Sequence, residues 1–256
     1  MRLHGRGSVS VLWWAVSLGA VAGCRTPAAP TAPCECREAA APAPAPASAD
    51  RDEDALRRVI AGRRSIRTYT DAPVARDDVA AVLWAAQGVT LSSEEADRVD
   101  GQGLRAAPSA GATFPLETYL LANRVDGLDP GLYHYRPADD GLEPAAGGAA
   151  GDLARLVADA CGGQRVVADA AAVVVFAAVL ARTAERYGDR AERYVMMELG
   201  HANQNAHLMA SARGLGACAI GAFDEAALAQ VLELPPEHRP FYLLTLGRPR
   251  TQSEAR

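Results

Sequence analysis

The sequence predicts an α+β domain, with helices packed on a mixed or antiparallel central sheet. Three observations predict it. Arg190–Gly216 places Val195, Leu199, Ala202, Ala206 and Met209 at alternating steps of four and three, the spacing of one continuous helix face. Ala171–Leu180 is an unbroken apolar run rich in Val, short enough for a strand buried on both faces. The remaining helical and extended stretches do not follow a strict strand–helix–strand order, which argues against a doubly wound sheet.

The chain has 256 residues, and the reading divides them in three. Met1–Gly23 reads as an export signal: Arg2 and Arg6 lead an uncharged, mostly apolar run from Val9 to Ala22, too short for a comfortable membrane span. It ends in Val21-Ala22-Gly23-Cys24, which resembles the lipobox of bacterial lipoproteins. There Cys24 would carry the lipid and anchor the protein in the cell envelope without spanning the bilayer. A plain cleaved signal with an incidental Cys is the other reading. Residues 24–50 are rich in Ala and Pro, with Ala-Pro repeated at 41–46, a composition that favours an extended tether. Cys34 and Cys36 within it are too close for easy mutual bridging. From Arg51 onward about 205 residues remain, enough for one domain. The net charge of −5 and the lack of a long basic run suggest no nucleic-acid partner.

Within the domain, Asp52–Gly62 reads as a helix with Leu56, Val59 and Ile60 as its buried stripe and three acidic residues in its first turn. Arg63-Arg64-Ser65-Ile66-Arg67-Thr68-Tyr69 follows. Forked guanidiniums and short hydroxyls at this density suit a phosphate, although a solvated basic loop has the same composition. Arg76–Gln87 is a second helix with Val79, Val82, Leu83 and Ala86 inward and Gly88 as its stop. Thr90–Arg105 is polar and reads as a mobile loop, a candidate lid. Pro108-Ser109-Ala110-Gly111 is a small-residue turn that lets a flat ligand lie against the backbone. Leu116–Ala122 and Gly131–Tyr135 read as strands, and Gly151–Cys161 as a helix with Leu153, Leu156 and Val157 inward.

After the apolar strand, Glu185-Arg186-Tyr187-Gly188 leads into the long helix, which Gly214 stops in a left-handed turn. Small residues (Gly200, Ala202, Ala206, Ala210, Ala212) crowd that helix, so another backbone can approach it closely. A second subunit or the rest of a monomer could supply the cover. Ala217–Phe223 is a strand and turn in which Gly221 permits close approach to a ligand. Asp224 caps a helix ending at Leu232, and Phe241–Leu246 is the last strand, followed by Gly247-Arg248-Pro249-Arg250. Cys161 and Cys218 lie in apolar surroundings as core residues, His201 and His207 read as structural residues of the long helix, and Glu117 and Gln204 are within possible reach of a ligand. No metal-type Cys/His spacing, Gly-x-Gly-x-x-Gly turn or Walker loop is present.

The ordered set of Arg-Arg-Ser-Ile-Arg, Pro-Ser-Ala-Gly, the Gly-His helix ending Gly-Leu-Gly, Ile-Gly-Ala-Phe-Asp and a terminal Gly-x-Pro resembles the nitroreductase family, and within it the SagB-type dehydrogenases. The resemblance spans about Ala55 to Pro249. It implies an α+β nitroreductase-like fold, a homodimer around the long helix, and FMN held at the subunit interface. It places Arg63, Arg64, Ser65, Arg67 and Arg248 on the FMN phosphate and ribityl end. Pro108, Ser109, Ala110 and Gly111 would line one side of the isoalloxazine, and Gly221 and Ala222 the other. The implied chemistry is ping-pong hydride transfer through the flavin, with NAD(P)H as a candidate donor and a small-molecule or peptide-derived substrate. The azoline-oxidising branch carries a Lys-Tyr pair ahead of the long helix for proton transfer; here the catalytic candidates are Arg186 and Tyr187. A guanidinium cannot serve as a general base, so azoline oxidation is not implied for this chain. The alternative expectation is a non-catalytic flavin- or ligand-binding envelope lipoprotein.

Overall fold

Seven apolar residues in a row leave a strand no polar face, and Ala172–Ala178 accordingly forms the inner strand of a six-stranded sheet, every side chain buried. The computed structural model describes residues 49–96, 103–146 and 150–250, which fall in one compact unit, Pro46–Arg256. The strands are β1 (Val89–Leu91), β2 (Leu104–Arg105), β3 (Leu116–Ala122), β4 (Gly131–Arg136), β5 (Gly141–Pro144), β6 (Ala172–Ala178), β7 (Gly216–Ile220) and β8 (Arg239–Gly247). The six-stranded sheet runs β5-β4-β3-β6-β8-β7, and each of its pairs is antiparallel. The expectation of a mixed or antiparallel sheet therefore narrows to antiparallel. A separate two-stranded ladder joins β1 to β2.

The helices are α1 (Ala49–Gly62), α2 (Arg76–Gln87), α3 (Ala150–Ala160), α4 (Arg165–Ala168), α5 (Leu180–Tyr187), α6 (Ala191–Ala212) and α7 (Glu225–Val231). The alternation of side chains along each strand splits the core in two. On one face Leu120, Val174, Phe176 and Leu244 pack with Val82 and Leu83 of α2 and Val195, Leu199 and Ala202 of α6. On the other, Leu121, Val173, Val175 and Leu243 pack with Leu153 and Val157 of α3 and Leu228 of α7. Helices cover the sheet on both faces, which is why β6 carries no polar side.

The long helix matches its periodicity. Val195, Leu199, Ala202 and Ala206 are buried, Met209 is half-buried, and Gly214 ends the segment at φ +70°. Asp224 caps α7 by accepting the Ala227 N–H at 2.9 Å. Cys161 and Cys218 are buried thiols. Helix α1 departs from expectation. Leu56 and Ile60 are 56% and 52% exposed and Val59 is half-buried, so the stripe read as buried faces outward. Helix α1 rests against α6, and the junction opens a groove of about 310 Å³ lined by Leu56, Val59, Trp84, Leu208, Met209 and Ala212. Apolar periodicity shows that a face wants cover; it does not show that the same chain provides it. Of the expected loop at 90–105, the ends form β1 and β2, and residues 97–102 lie outside the described set. The export signal, Cys24 and the tether as far as residue 48 also lie outside it, while Ala49 and Asp50, expected to end the tether, begin α1. Among the described residues no helix is long and apolar enough to cross a membrane.

Candidate functional site

The basic hook after α1 runs along the free edge of β7. Ser65 bridges Ala217 in parallel, and Ile66 N–H donates to the Ala217 carbonyl at 2.8 Å. Tyr69 then crosses the end of the sheet, its hydroxyl 2.7 Å from Thr245 Oγ1 and donating to the Ile66 carbonyl at 2.8 Å. Gly216 and Gly247 make this possible: a Cβ would stand 2.9 Å from Ile66 at the first and 2.5 Å from the Tyr69 ring at the second. The tail joins the same place, with Thr70 N–H donating to the Arg248 carbonyl at 2.9 Å and Arg250 N–H to the Thr68 carbonyl at 3.2 Å. Hook and tail, far apart in sequence, are thus neighbours.

Their guanidiniums differ in use. Arg64 turns back, donating to the Ala61 and Arg63 carbonyls at 2.9 and 2.8 Å, and so closes the last turn of α1. Arg248 reaches Asp78 of α2 at 3.3 Å, beside Arg213 at 3.7 Å. Among the described residues no carboxylate is ion-paired with Arg63 or Arg67. Arg63 lies near His207, whose imidazole is 3.2 Å from the Arg64 carbonyl; burial first, and then the neighbouring Arg63 charge, hold this His below its ordinary value. A buried neutral His in that position pins the hook to α6, the structural role expected for it. His201 is exposed.

The turn at Pro108–Gly111 sits elsewhere on α6. Pro108 and Gly111 are exposed, and Ser109 and Ala110 half-buried. Gly111 (φ +60°), Ala112 (φ +52°) and Phe114 (φ +43°) crowd three left-handed backbones into four residues, a concentration of strain that surrounding bonds must hold. They do so from α5. Arg182 donates to the Phe114 carbonyl at 3.0 Å, the Thr113 and Thr183 hydroxyls meet at 2.8 Å, and Ser109 Oγ accepts the Phe114 N–H at 3.0 Å. Arg182 is itself fixed by Glu117 at 2.5 Å, which also meets His134 at 2.7 Å. Burial acts to raise the Glu117 carboxyl, and the His134 and Arg182 bonds outweigh it and bring it down. Glu117 therefore braces the turn from behind.

Arg186 and Tyr187 close over this turn. Arg186 donates to the Gly111 carbonyl at 3.3 Å, and a Cβ on Gly111 would stand 2.7 Å from the Tyr187 hydroxyl and 2.9 Å from Arg186 Cδ. The Arg186 guanidinium lies 5.7 Å over the Tyr187 ring, which meets Tyr194 edge-on at 4.7 Å. The structure thus unites the two catalytic candidates with the expected ring-lining turn. Gly221 and Ala222 follow the end of β7 remote from the hook, roughly 13 Å along the strand from Ala217. There Gly221 is exposed, and the Ala222 carbonyl accepts from Gln164 at 2.9 Å.

Glu198 completes the site. It is 2% exposed on the inner face of α6, and its Oε1 is buried without a hydrogen-bond partner. Burial pushes it up to about 7, against the opposing pull of the neighbouring Ser109, the Ala110 backbone and Arg105. The sequence carried a signal for it, since Glu198 lies three residues after Val195 and four before Ala202, inside the apolar stripe.

A model of the nitroreductase family matches residues 60–248. The chain belongs to the nitroreductase family. MJ1384 of Methanocaldococcus jannaschii, which bears a provisional nitroreductase name, is 36% identical over 196 residues, covering 77% of this chain and 92% of its own. The Microcin B17-processing protein McbC of Escherichia coli is 28% identical over 138 residues, and the match spans 52% of this chain and half of McbC. Among solved structures, a nitroreductase-named chain of Ralstonia eutropha shares 27% identity at a TM-score of 0.63, covering 77% and 84% of the two chains. The NADPH:FMN oxidoreductase of Vibrio harveyi, at 20% identity and TM-score 0.53 over 77% of this chain and 70% of that one, shares the fold. The family makes this chain a nitroreductase-family oxidoreductase with an α+β fold.

Proposed function

We propose that this nitroreductase-family chain is an FMN-dependent, ping-pong oxidoreductase that works as a homodimer, in the manner of the SagB-type branch. The observation that carries the reading is the closure of Arg186 and Tyr187 over Gly111 in the Pro108–Gly111 turn. The NADPH:FMN oxidoreductase fold neighbour and the McbC relative support it. The residues fit the cofactor. Arg63 and Arg67 carry no carboxylate partner among the described residues, and Ser65 adds a hydroxyl, a donor set suited to a phosphate. The exposed Gly111 gives a flat ring access to backbone. When bound, FMN would supply hydride acceptance from one substrate and hydride delivery to the next.

The chain's own groups do the rest. Arg186 keeps a fixed positive charge beside the turn, suited to an anionic or electron-rich substrate, and Tyr187 places a phenol at the same spot. Arg248 is shared with Asp78, and Arg64 with α1, so we assign phosphate contact first to Arg63 and Arg67. Hook and turn meet α6 at His207 and Glu198, nine residues and roughly 13 Å apart along the axis. Among the described residues no hydrogen bond or ion pair joins hook to turn. A dimer around α6 would bring a hook and a turn from different subunits together, and would cover Leu56, Ile60 and Trp84. Anchoring through Cys24 belongs to the same proposal.

The test is a visible spectrum and a sedimentation run on the purified full chain, followed by stopped-flow reduction with NAD(P)H. Bound FMN on a dimer that is reduced and reoxidised supports the proposal. A chain that takes up no FMN refutes it, and bound flavin that is never reduced favours the ligand-binding lipoprotein instead.

A further inference from the structure

The stretch Arg186–Tyr194, which carries the chain from α5 into α6, alternates basic and aromatic side chains. Its fold turns the rings inward and the charges out. Tyr187 and Tyr194 are half-buried and meet edge-on at 4.7 Å, while Arg186 and Arg190 are exposed. Each guanidinium lies over one of the rings, Arg186 at 5.7 Å from Tyr187 and Arg190 at 6.0 Å from Tyr194. One aromatic pair thus seats two cations, and it does so beside Gly111, whose missing Cβ makes room for the Tyr187 hydroxyl.

A guanidinium held over a ring keeps the N–H groups along its edge for another partner. Arg186 spends one of them on the Gly111 carbonyl at 3.3 Å. Arg190 makes no hydrogen bond or ion pair among the described residues. The neighbouring acids do not neutralise the two cations. Glu117 is held by Arg182 and His134, and Glu192 by Arg239 at 3.2 Å. Among the described residues, neither Glu185 nor Asp189 pairs with Arg186 or Arg190.

We propose, resting on the flavin reading above, that the Arg186–Tyr187 and Arg190–Tyr194 pairs form a substrate platform for a planar carboxylate, an aromatic or conjugated acid, with Arg190 as its specificity-determining residue. A carboxylate is flat and accepts two parallel N–H bonds from one guanidinium. Arg186 is tied to the turn, so the free fork of Arg190 takes the carboxylate. The flat body of the acid then lies along the tyrosine pair toward the exposed Gly111. A neutral molecule of the same shape meets the same rings and lacks only the charged anchor.

The probes are 4-nitrobenzoate and its neutral isostere 4-nitrobenzamide. Their Kd values are measured by saturation-transfer NMR on the full chain, with FMN and without it. Wild type should bind the anion about tenfold more tightly, the worth of one charge-assisted hydrogen bond over a neutral one. Added salt should weaken the anion alone. Arg190→Gln should bring the two Kd values together by weakening the anion and leaving the amide unchanged. Tyr194→Leu should narrow the gap as well, because Arg190 loses its seat. Arg193→Gln, at an exposed charge that lies over no ring among the described residues, should keep the full preference. No binding of 4-nitrobenzoate, equal Kd values in wild type, a preference untouched by Arg190→Gln, or one lost equally in Arg193→Gln overturns the platform. A chain that binds no FMN yet prefers the anion through Arg190 overturns the flavin reading and leaves the anion site standing. A chain that binds FMN and shows no preference does the reverse.

Discussion

Gly111 shows how one missing side chain can set a site. Its backbone is left-handed, and the space a Cβ would fill already holds the Tyr187 hydroxyl and the Arg186 stem. Gly111→Ala should therefore cost about 1–3 kcal/mol in thermal unfolding, from strain and clash together, and should push Arg186 and Tyr187 off the turn. Calorimetry reads the first effect and loss of FMN affinity the second. An unchanged Tm with unchanged affinity would show that the turn does not need this closure. Residue by residue, the sequence made the turn legible through its small side chains. The resemblance marked Arg186 and Tyr187 as catalytic candidates, whereas their closure over the turn is set by tertiary contacts that no local pattern shows. Glu198 was overlooked because a charge inside an apolar stripe was read past, although its position in the repeat marked it as buried.

Among the elements, strong local signals survived and weak ones did not. Helix α7 begins at Asp224 because that carboxylate satisfies the Ala227 N–H. Asp224→Ala should lower stability by about 1 kcal/mol, read as an earlier denaturation midpoint at unchanged slope. Strands β3 and β6 and helices α2 and α6 followed from periodicity, each within a residue or two of the expected ends. Strand β5 was missed, since Gly-Leu-Glu-Pro has no strand pattern of its own and is held extended by pairing with β4. Helix α5 was missed too. It is eight residues long with one buried side chain, Thr183, and its place is fixed by bonds to Thr113, Phe114 and Glu117. Such tertiary bonds leave no trace in a local window.

At the scale of the molecule, two sets of titratable groups in or at the edge of the core oppose each other. Burial holds His207 and His238 below 6.5, so they stabilise the folded chain less as pH falls through that value. Glu198 is raised from 4.5 to about 7, so its contribution is whole below 4.5 and is lost as pH rises through 7. Wild type should therefore gain on Glu198→Gln by about 2–3 kcal/mol between about pH 8 and about pH 5, measured by denaturant unfolding at each pH. A constant difference would show that Glu198 ionises freely in the folded chain. The layers and the sheet class were legible in the sequence, because alternating and helical periods are set by backbone geometry. The partner of the α1 stripe was not legible, because a period says which residues want cover and is silent on what supplies it.

The seating of the hook against β7 has a further consequence. An outermost strand with unoccupied amides and carbonyls invites another molecule to add a strand of its own. Here Ile66 occupies the Ala217 carbonyl, and Tyr69 spans the sheet's end beside it. At the opposite border the four-residue β5 ends in Pro144 and carries Glu143. The segment that would greet a phosphate thus doubles as a guard against fibre-like self-pairing, and a chain stripped of it should be as prone to clumping as it is inert.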